Sequence, residues 1–236
     1  MRLDRSTPAS VLAVYAHPND AEVSCGGALA RWAQAGANVY LVLVNLGDKG
    51  SKDPDCDAGE LARRRATEVD AAARVLDIES ITMLGRPDGD SDNDHDLRRD
   101  LVERIRRVRP EVVMCPDPTA VFFGDGYVNH RDHRVCGWAT IDAVSAAASP
   151  LYFADLGGAH QVERLFLSGT LEPDTAVAIT DVLERKAEAL GCHRSQLGGS
   201  GEWVHELVEQ RAEEAGRAIG VAHAETFRVL RLAGGE

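Results

Sequence analysis

A single Rossmann-like α/β domain over residues 1–236, a mostly parallel sheet flanked by helices, is the fold the sequence predicts. Three observations carry that expectation. Short runs that are apolar throughout alternate with longer stretches of helical periodicity, the pattern of strands buried on both faces and the helices that cross over between them. Each apolar run ends in a short polar loop before the next helix begins. The chain of 236 residues, 44% hydrophobic, suffices for one sizeable core and shows no linker, repeat or low-complexity tract that would divide it.

The first run, residues 11–17 (VLAVYAH), is short and almost wholly apolar, as a strand covered on both faces must be. A polar PNDAE segment follows, then Gly26 and Gly27, a helix over 28–33, and Gly36, which closes it as a glycine beyond a helix C-terminus does. The next strand covers 39–45, completing a βαβ unit and with it a parallel pair. An Ala-, Arg- and Glu-rich stretch with apolar residues at helical spacing predicts a helix over 60–76, followed by a strand at 81–84. Residues 97–108 read as a helix, and 111–115 as a strand stopped by Pro116 and Pro118. A glycine-, aspartate- and histidine-rich loop, whose Gly124, Asp125 and Gly126 read as a lid over a site or as the turn that carries the next helix, leads into a helix over 132–147. Strands at 164–168 and 176–179 and helices over 181–190 and 203–219 complete the alternation. Arg104, Arg106, Arg107 and Arg109 are expected on a solvated helix face, paired with nearby acids.

Composition removes several classes of function. A net charge of −12 opposes binding to nucleic acid and to anionic membrane surfaces. No apolar run approaches the roughly 20 residues that span a bilayer. Aromatic residues, at 5%, are too sparse for aromatic shelves to be the main recognition device. Cys25, Cys56, Cys115, Cys136 and Cys192 are widely spaced, odd in number and never arranged as CxxC, against both a disulfide framework and a thiolate zinc knuckle. The first ten residues lack the apolar core of a signal peptide, so a reduced, cytoplasmic, soluble protein is expected.

Open parallel sheets bind ligands beyond the carboxyl ends of their strands. Two of the segments that fall there stand out. His17, Asn19 and Asp20 follow the first strand, and His130, Asp132 and His133 open the helix after the fourth. Two imidazoles and a carboxylate meeting at one sheet edge suit Zn²⁺, which takes three protein ligands in catalytic sites and keeps a place for water. His17, Asp20 and His133 form the natural trio, and the same donors would also hold Fe²⁺, Co²⁺ or Ni²⁺. The HPNDAEVSCGG loop lacks a GxGxxG turn and sets acidic groups where a pyrophosphate would lie, which argues against a dinucleotide enzyme.

Residues 16–22 (AHPNDAE), followed by Cys25, Gly26 and Gly27, resemble the AHPDDxE…GG signature of the LmbE-like or PIG-L family of zinc-dependent N-acetylglucosaminyl de-N-acetylases. Residues 129–134 (NHRDHR) resemble its HxDH element, and weaker similarities follow at 65–68, 87–89, 193–196 and 224–228. The resemblance implies a metal-dependent hydrolase that removes an acetyl or other acyl group from the amide nitrogen of an N-acylated amino sugar or related small amide. It implies zinc on His17, Asp20 and His133, and a carboxylate beside the metal to take a proton from the attacking water. It implies that His130 protonates the leaving amine or polarises the carbonyl, with Asp132 holding its ring, and that Arg65 and Asp88 grip sugar hydroxyls. Homo-oligomers are common in that family.

At the position of the family's general base this chain carries Asn19. A neutral amide accepts no proton at ordinary pH, although it can hydrogen-bond a water. Three explanations stand side by side: an introduced isosteric change that inactivates the enzyme, a zinc-loaded sugar-binding protein without hydrolytic activity, or a base supplied by a neighbour such as Glu22 or Asp132.

Overall fold

The apolar run after Ser10 is a strand with both faces covered. Val11, Ala13 and Tyr15 enter one core, whereas Leu12, Val14 and Ala16 enter a second core across the sheet. This computed structural model describes residues 1–197 and 203–232. Along the chain lie β1 (Arg2–Asp4), β2 (Ser10–Tyr15), α1 (Asp20–Gln34), β3 (Asn38–Asn45), α2 (Ala58–Val75), β4 (Ser80–Arg86), α3 (His95–Val108) and β5 (Val112–Pro116). A small ribbon of β6 (Phe122–Phe123) and β7 (Tyr127–Val128) follows, then α4 (Arg131–Ala147), β8 (Arg164–Ser168) and β9 (Thr175–Ala178). A 3₁₀ turn (Thr180–Val182), α5 (Leu183–Gly191), the short α6 (Arg194–Leu197), α7 (Trp203–Arg217) and β10 (Ala224–Arg231) complete the order.

Eight strands form one sheet in the order β1-β9-β10-β8-β5-β2-β3-β4. All pairings are parallel except those of β10, which runs antiparallel to both β8 and β9. The chain therefore builds outward from β2 through β3 to β4, then returns to the other side of β2 with β5. The switch point lies between the carboxyl ends of β2 and β5, the crevice where such sheets take their ligands. One core gathers α1, α2, α5 and α7 against the sheet, and the other gathers α3 and α4.

Two differences from the sequence expectation have physical causes. Helix α1 begins at Asp20, ahead of Gly26 and Gly27, so both glycines lie inside it. The buried carboxylate of Glu225 accepts from the backbone N–H groups of Gly27 and Ala28 and pairs with Lys186, and Ile179 packs where a Gly27 side chain would stand. The arginine cluster on α3 is not simply a solvated face. Arg106 is buried and donates to the carbonyls of Ala147, Phe153, Ser149 and Tyr152, so it organises the loop after α4 instead of pairing with acids. Arg109 is the left-handed residue that ends α3. Gly124, Asp125 and Gly126 form the tip of the β6–β7 ribbon.

Helix α4 presses on the end of β5 at Gly137, where an added Cβ would stand 2.4 Å from the Pro116 carbonyl oxygen. That contact sets the height of the helix whose first turn carries His133. Gly137→Ala is expected to lower stability by about 1–3 kcal/mol, as overpacking does. Urea unfolding checks this, and an unchanged midpoint would mean that α4 is free to shift.

Candidate metal centre

After β2 the chain turns through His17 and Pro18 into α1. Asn19 makes the turn in the left-handed region, with φ of 85°, a conformation asparagine tolerates far better than a branched residue does. Asp20 is the first residue of the helix, and its Oδ2 reaches back to accept the His17 backbone N–H at 2.7 Å. Across the switch point, His130 caps the N-terminus of α4, its Nδ1 accepting the backbone N–H of Asp132 at 3.2 Å. His133 lies in the first turn of that helix.

These two loops bring three donor atoms together. His17 Nδ1 stands 3.3 Å from His133 Nε2 and 3.4 Å from Asp20 Oδ2, and the last two are 3.2 Å apart. Donors held at about 2.0–2.1 Å by a tetrahedral zinc ion lie about 3.3 Å from one another, so the triangle has the dimensions of three corners of that shell. Both imidazoles are oriented from behind. His17 Nε2 meets Asp132 Oδ2 at 3.0 Å, and His133 Nδ1 meets Asn129 Oδ1 at 3.1 Å. Asn129 is itself fixed, donating its backbone N–H to Val121 and its amide to Ala120. Carboxylate or carbonyl groups behind the ligating imidazoles are the usual way metal sites fix ring orientation and tautomer.

His17, His130 and Asp132 also lie close enough to form a trio. It is the poorer set of donors. Asp132 Oδ2 already serves His17 and the Gly89 backbone N–H, and His130 Nδ1 already accepts a backbone N–H. The same geometry revises the expected pairing of Asp132 with His130. The two are joined through a main-chain N–H, while the carboxylate, 3.5 Å from His130 Nδ1, takes His17 as its partner.

The electrostatics are those of a cation site. Burial alone would depress the His17 imidazole, but the carboxylates of Asp20, Asp88 and Asp132 outweigh it and raise its pKa to about 9. Burial would raise the Asp20 carboxyl, and the imidazoles of His133 and His17 instead hold it below the usual carboxylate range. His130 is pushed below an ordinary imidazole by burial and by the charge on His17. With Nδ1 accepting from the backbone, its neutral ring carries the proton on Nε2.

A cavity of about 540 Å³ lies over the triangle. His17, Asn19, Asp20, His130 and His133 line it, as do Arg65 and Asp88 from their own elements. The last two are also bonded to the loop after β3. Arg65 donates to the carbonyls of Gly47 and Gly50, and Asp88 accepts the backbone N–H groups of Gly47 and Lys49. Asp132 is wholly buried beneath the donors, and Glu22 is turned away to face His193 at 3.3 Å. Lys49, Tyr127 and Gln196 complete the wall without having been singled out from the sequence. Gln196 falls in the weak 193–196 similarity, whereas Lys49 and Tyr127 lie in segments that follow strands, a signal too general to single them out.

A family model described as GlcNAc-PI de-N-acetylase, PIG-L, matches residues 12–144, which hold both histidine motifs. A diacetylchitobiose deacetylase of Thermococcus kodakarensis is 32% identical over 191 residues, covering 79% of this chain and 70% of the relative. A 1D-myo-inositol 2-acetamido-2-deoxy-alpha-D-glucopyranoside deacetylase of Geodermatophilus obscurus is 32% identical over 66% of this chain, which spans 60% of that relative's length. The solved N,N'-diacetylchitobiose deacetylase of Pyrococcus horikoshii superposes with a TM-score of 0.85 at 28% identity, covering 95% of this chain and 84% of its own. This chain belongs to the PIG-L family of de-N-acetylases.

Proposed function

We propose that this protein is a zinc-dependent hydrolase that removes the acetyl group from the nitrogen of an N-acetylated amino sugar or a closely related small amide. The observation that supports this best is the triangle of His17 Nδ1, Asp20 Oδ2 and His133 Nε2 under a cavity of about 540 Å³, in a chain of this family. Bound to those three donors, the ion supplies a Lewis acid that makes water acidic and polarises an amide carbonyl. Asp132 and Asn129 keep the two imidazoles turned toward it. His130, held in its Nε2–H form by the backbone of α4, donates a hydrogen bond from Nε2 to the amide oxygen as negative charge develops there. Arg65 and Asp88 fix the wall of the cavity through the 47–50 loop and stand where sugar hydroxyls come to rest.

Asn19 marks the weakest step. Its amide lines the cavity and makes no capping bond within α1, so it is free to orient a water. It takes no proton. Glu22 points elsewhere, and Asp132 is engaged beneath His17, so neither replaces it without rearrangement. That single residue favours a second reading, a metal-loaded protein that binds its sugar and turns it over slowly or not at all.

Protein dialysed without chelator is expected to hold one divalent ion per chain, zinc by elemental analysis. Asp132→Asn is expected to weaken that ion about 10–100-fold in a chelator competition, the usual cost of losing the group behind a ligating imidazole. His130→Ala is expected to leave metal content unchanged. Loss of the ion from His130→Ala alone would exchange the roles of the two histidines.

Asn19→Asp tests the chemistry. Acetate release from a panel of N-acetylated amino sugars is expected to rise about 10²–10⁴-fold, mainly in kcat, with metal affinity nearly unchanged. Equal and substantial activity in parent and variant would show another base at work. Inactivity in both, on sugars that demonstrably bind, would leave the binding protein as the function.

A further inference from the structure

Three of the few aromatic side chains in this sequence, Phe122, Phe123 and Tyr127, lie within six residues of one another on the β6–β7 ribbon. Phe122 is paired across the ribbon with Val128, and Phe123 with Tyr127. Directly paired residues share a face, so the ribbon has two apolar faces of different surroundings. The Tyr127 face turns toward the metal cavity, since Tyr127 is part of its wall together with His130 and His133. Tyr127 is 52% exposed, and its ring is backed by Phe123, with ring centroids 5.9 Å apart and planes tilted by 49°.

The ribbon is also anchored to the metal site. Its base is closed by the Asn129 backbone N–H on Val121 and the Asn129 amide on Ala120, and the remaining amide oxygen of Asn129 receives His133 Nδ1. One side chain thus fixes both a donor imidazole and the strand pair that presents Tyr127. A half-exposed aromatic ring held in register with a reaction centre is a recognition surface for a flat or apolar group.

Resting on the de-N-acetylase reading above, we propose that the Tyr127 ring, backed by Phe123, is a stacking platform for the group attached to the amino sugar. The preferred substrates are then glycosides of N-acetylglucosamine whose aglycone presents an apolar or aromatic face, and not the free sugar. The cavity of about 540 Å³ lies in the range of ~300–1,000 Å³ that takes ligands larger than one sugar ring. The ring is what stacks. The Tyr127 hydroxyl is not required, and the outward face of Phe122 and Val128 takes no part.

The test compares N-acetylglucosamine with its 4-nitrophenyl β-glycoside on the zinc-loaded protein, following free-amine release and, by calorimetry, binding. The glycoside is expected to be preferred about tenfold in kcat/KM or in affinity, within the range of an aromatic stacking contact. Tyr127→Ala is expected to bring that ratio to near one, through KM rather than kcat. Tyr127→Phe is expected to keep it, and so is Phe122→Ala on the opposite face. An unchanged ratio in Tyr127→Ala, or a ratio lost equally in Phe122→Ala, would overturn the platform. Equal handling of both compounds by the parent would overturn it too, while leaving the de-N-acetylase reading standing. If the zinc-loaded protein neither binds nor cleaves either compound, that reading falls, and the platform with it.

Discussion

A single carboxylate oxygen holds three strand ends of this protein together. Asp132 Oδ2 accepts His17 Nε2 from the loop after β2 and the Gly89 backbone N–H from the loop after β4, while Asp132 itself opens the helix that follows β5. Asp132 is wholly buried, so these bonds form where water does not compete and where leaving them unmade would be costly. The consequence reaches the site directly. With Nε2 committed to Asp132, His17 has only Nδ1 to offer, and Nδ1 is the atom that faces Asp20 and His133.

The surroundings of that oxygen explain why so much charge can sit at one sheet edge. Asp20, Asp88 and Asp132 crowd His17 and raise its imidazole to about 9, so the pocket favours a positive charge at its centre. A divalent cation satisfies the same field. The loops that shape the cavity are bound to one another in turn. Asp88 accepts two backbone N–H groups of the loop after β3 and donates its own to Asp48. Arg65 holds the carbonyls of that same loop, at glycines where any side chain would collide with its guanidinium. Such mutual bonding suits a site whose geometry is set before substrate arrives.

Much of this was legible in the sequence, because strands buried on both faces must be apolar throughout and their connecting helices must be periodic. Strands β2, β3, β5 and β8 and helices α2, α3 and α4 follow from that pattern. Strand β10 does not, since it carries Glu225 and Arg228 among its apolar residues. Glu225 is tolerated inside only because Lys186 and two N–H groups of α1 meet it there, partners about 40 and 200 residues away that no local pattern reveals. The short β1, β6 and β7 are below the length at which alternation can be recognised. At the site, the spacing of His17, Asp20, His130 and His133 pointed to side chains that the structure gathers at one sheet edge. The partner of Asp132 could not be read the same way, because the choice between His130, two residues away, and His17, 115 residues away, is made by the turn at the start of α4.

The coordination shell proposed above is His17, Asp20 and His133, with Asp132 behind His17. A crystal structure of the zinc-loaded protein, with anomalous data collected at the zinc edge, tests it most directly. One anomalous peak within bonding distance of His17 Nδ1, Asp20 Oδ2 and His133 Nε2, with His17 Nε2 still on Asp132, is the predicted result. A peak bound instead by His17 Nε2, His130 and Asp132 would contradict it.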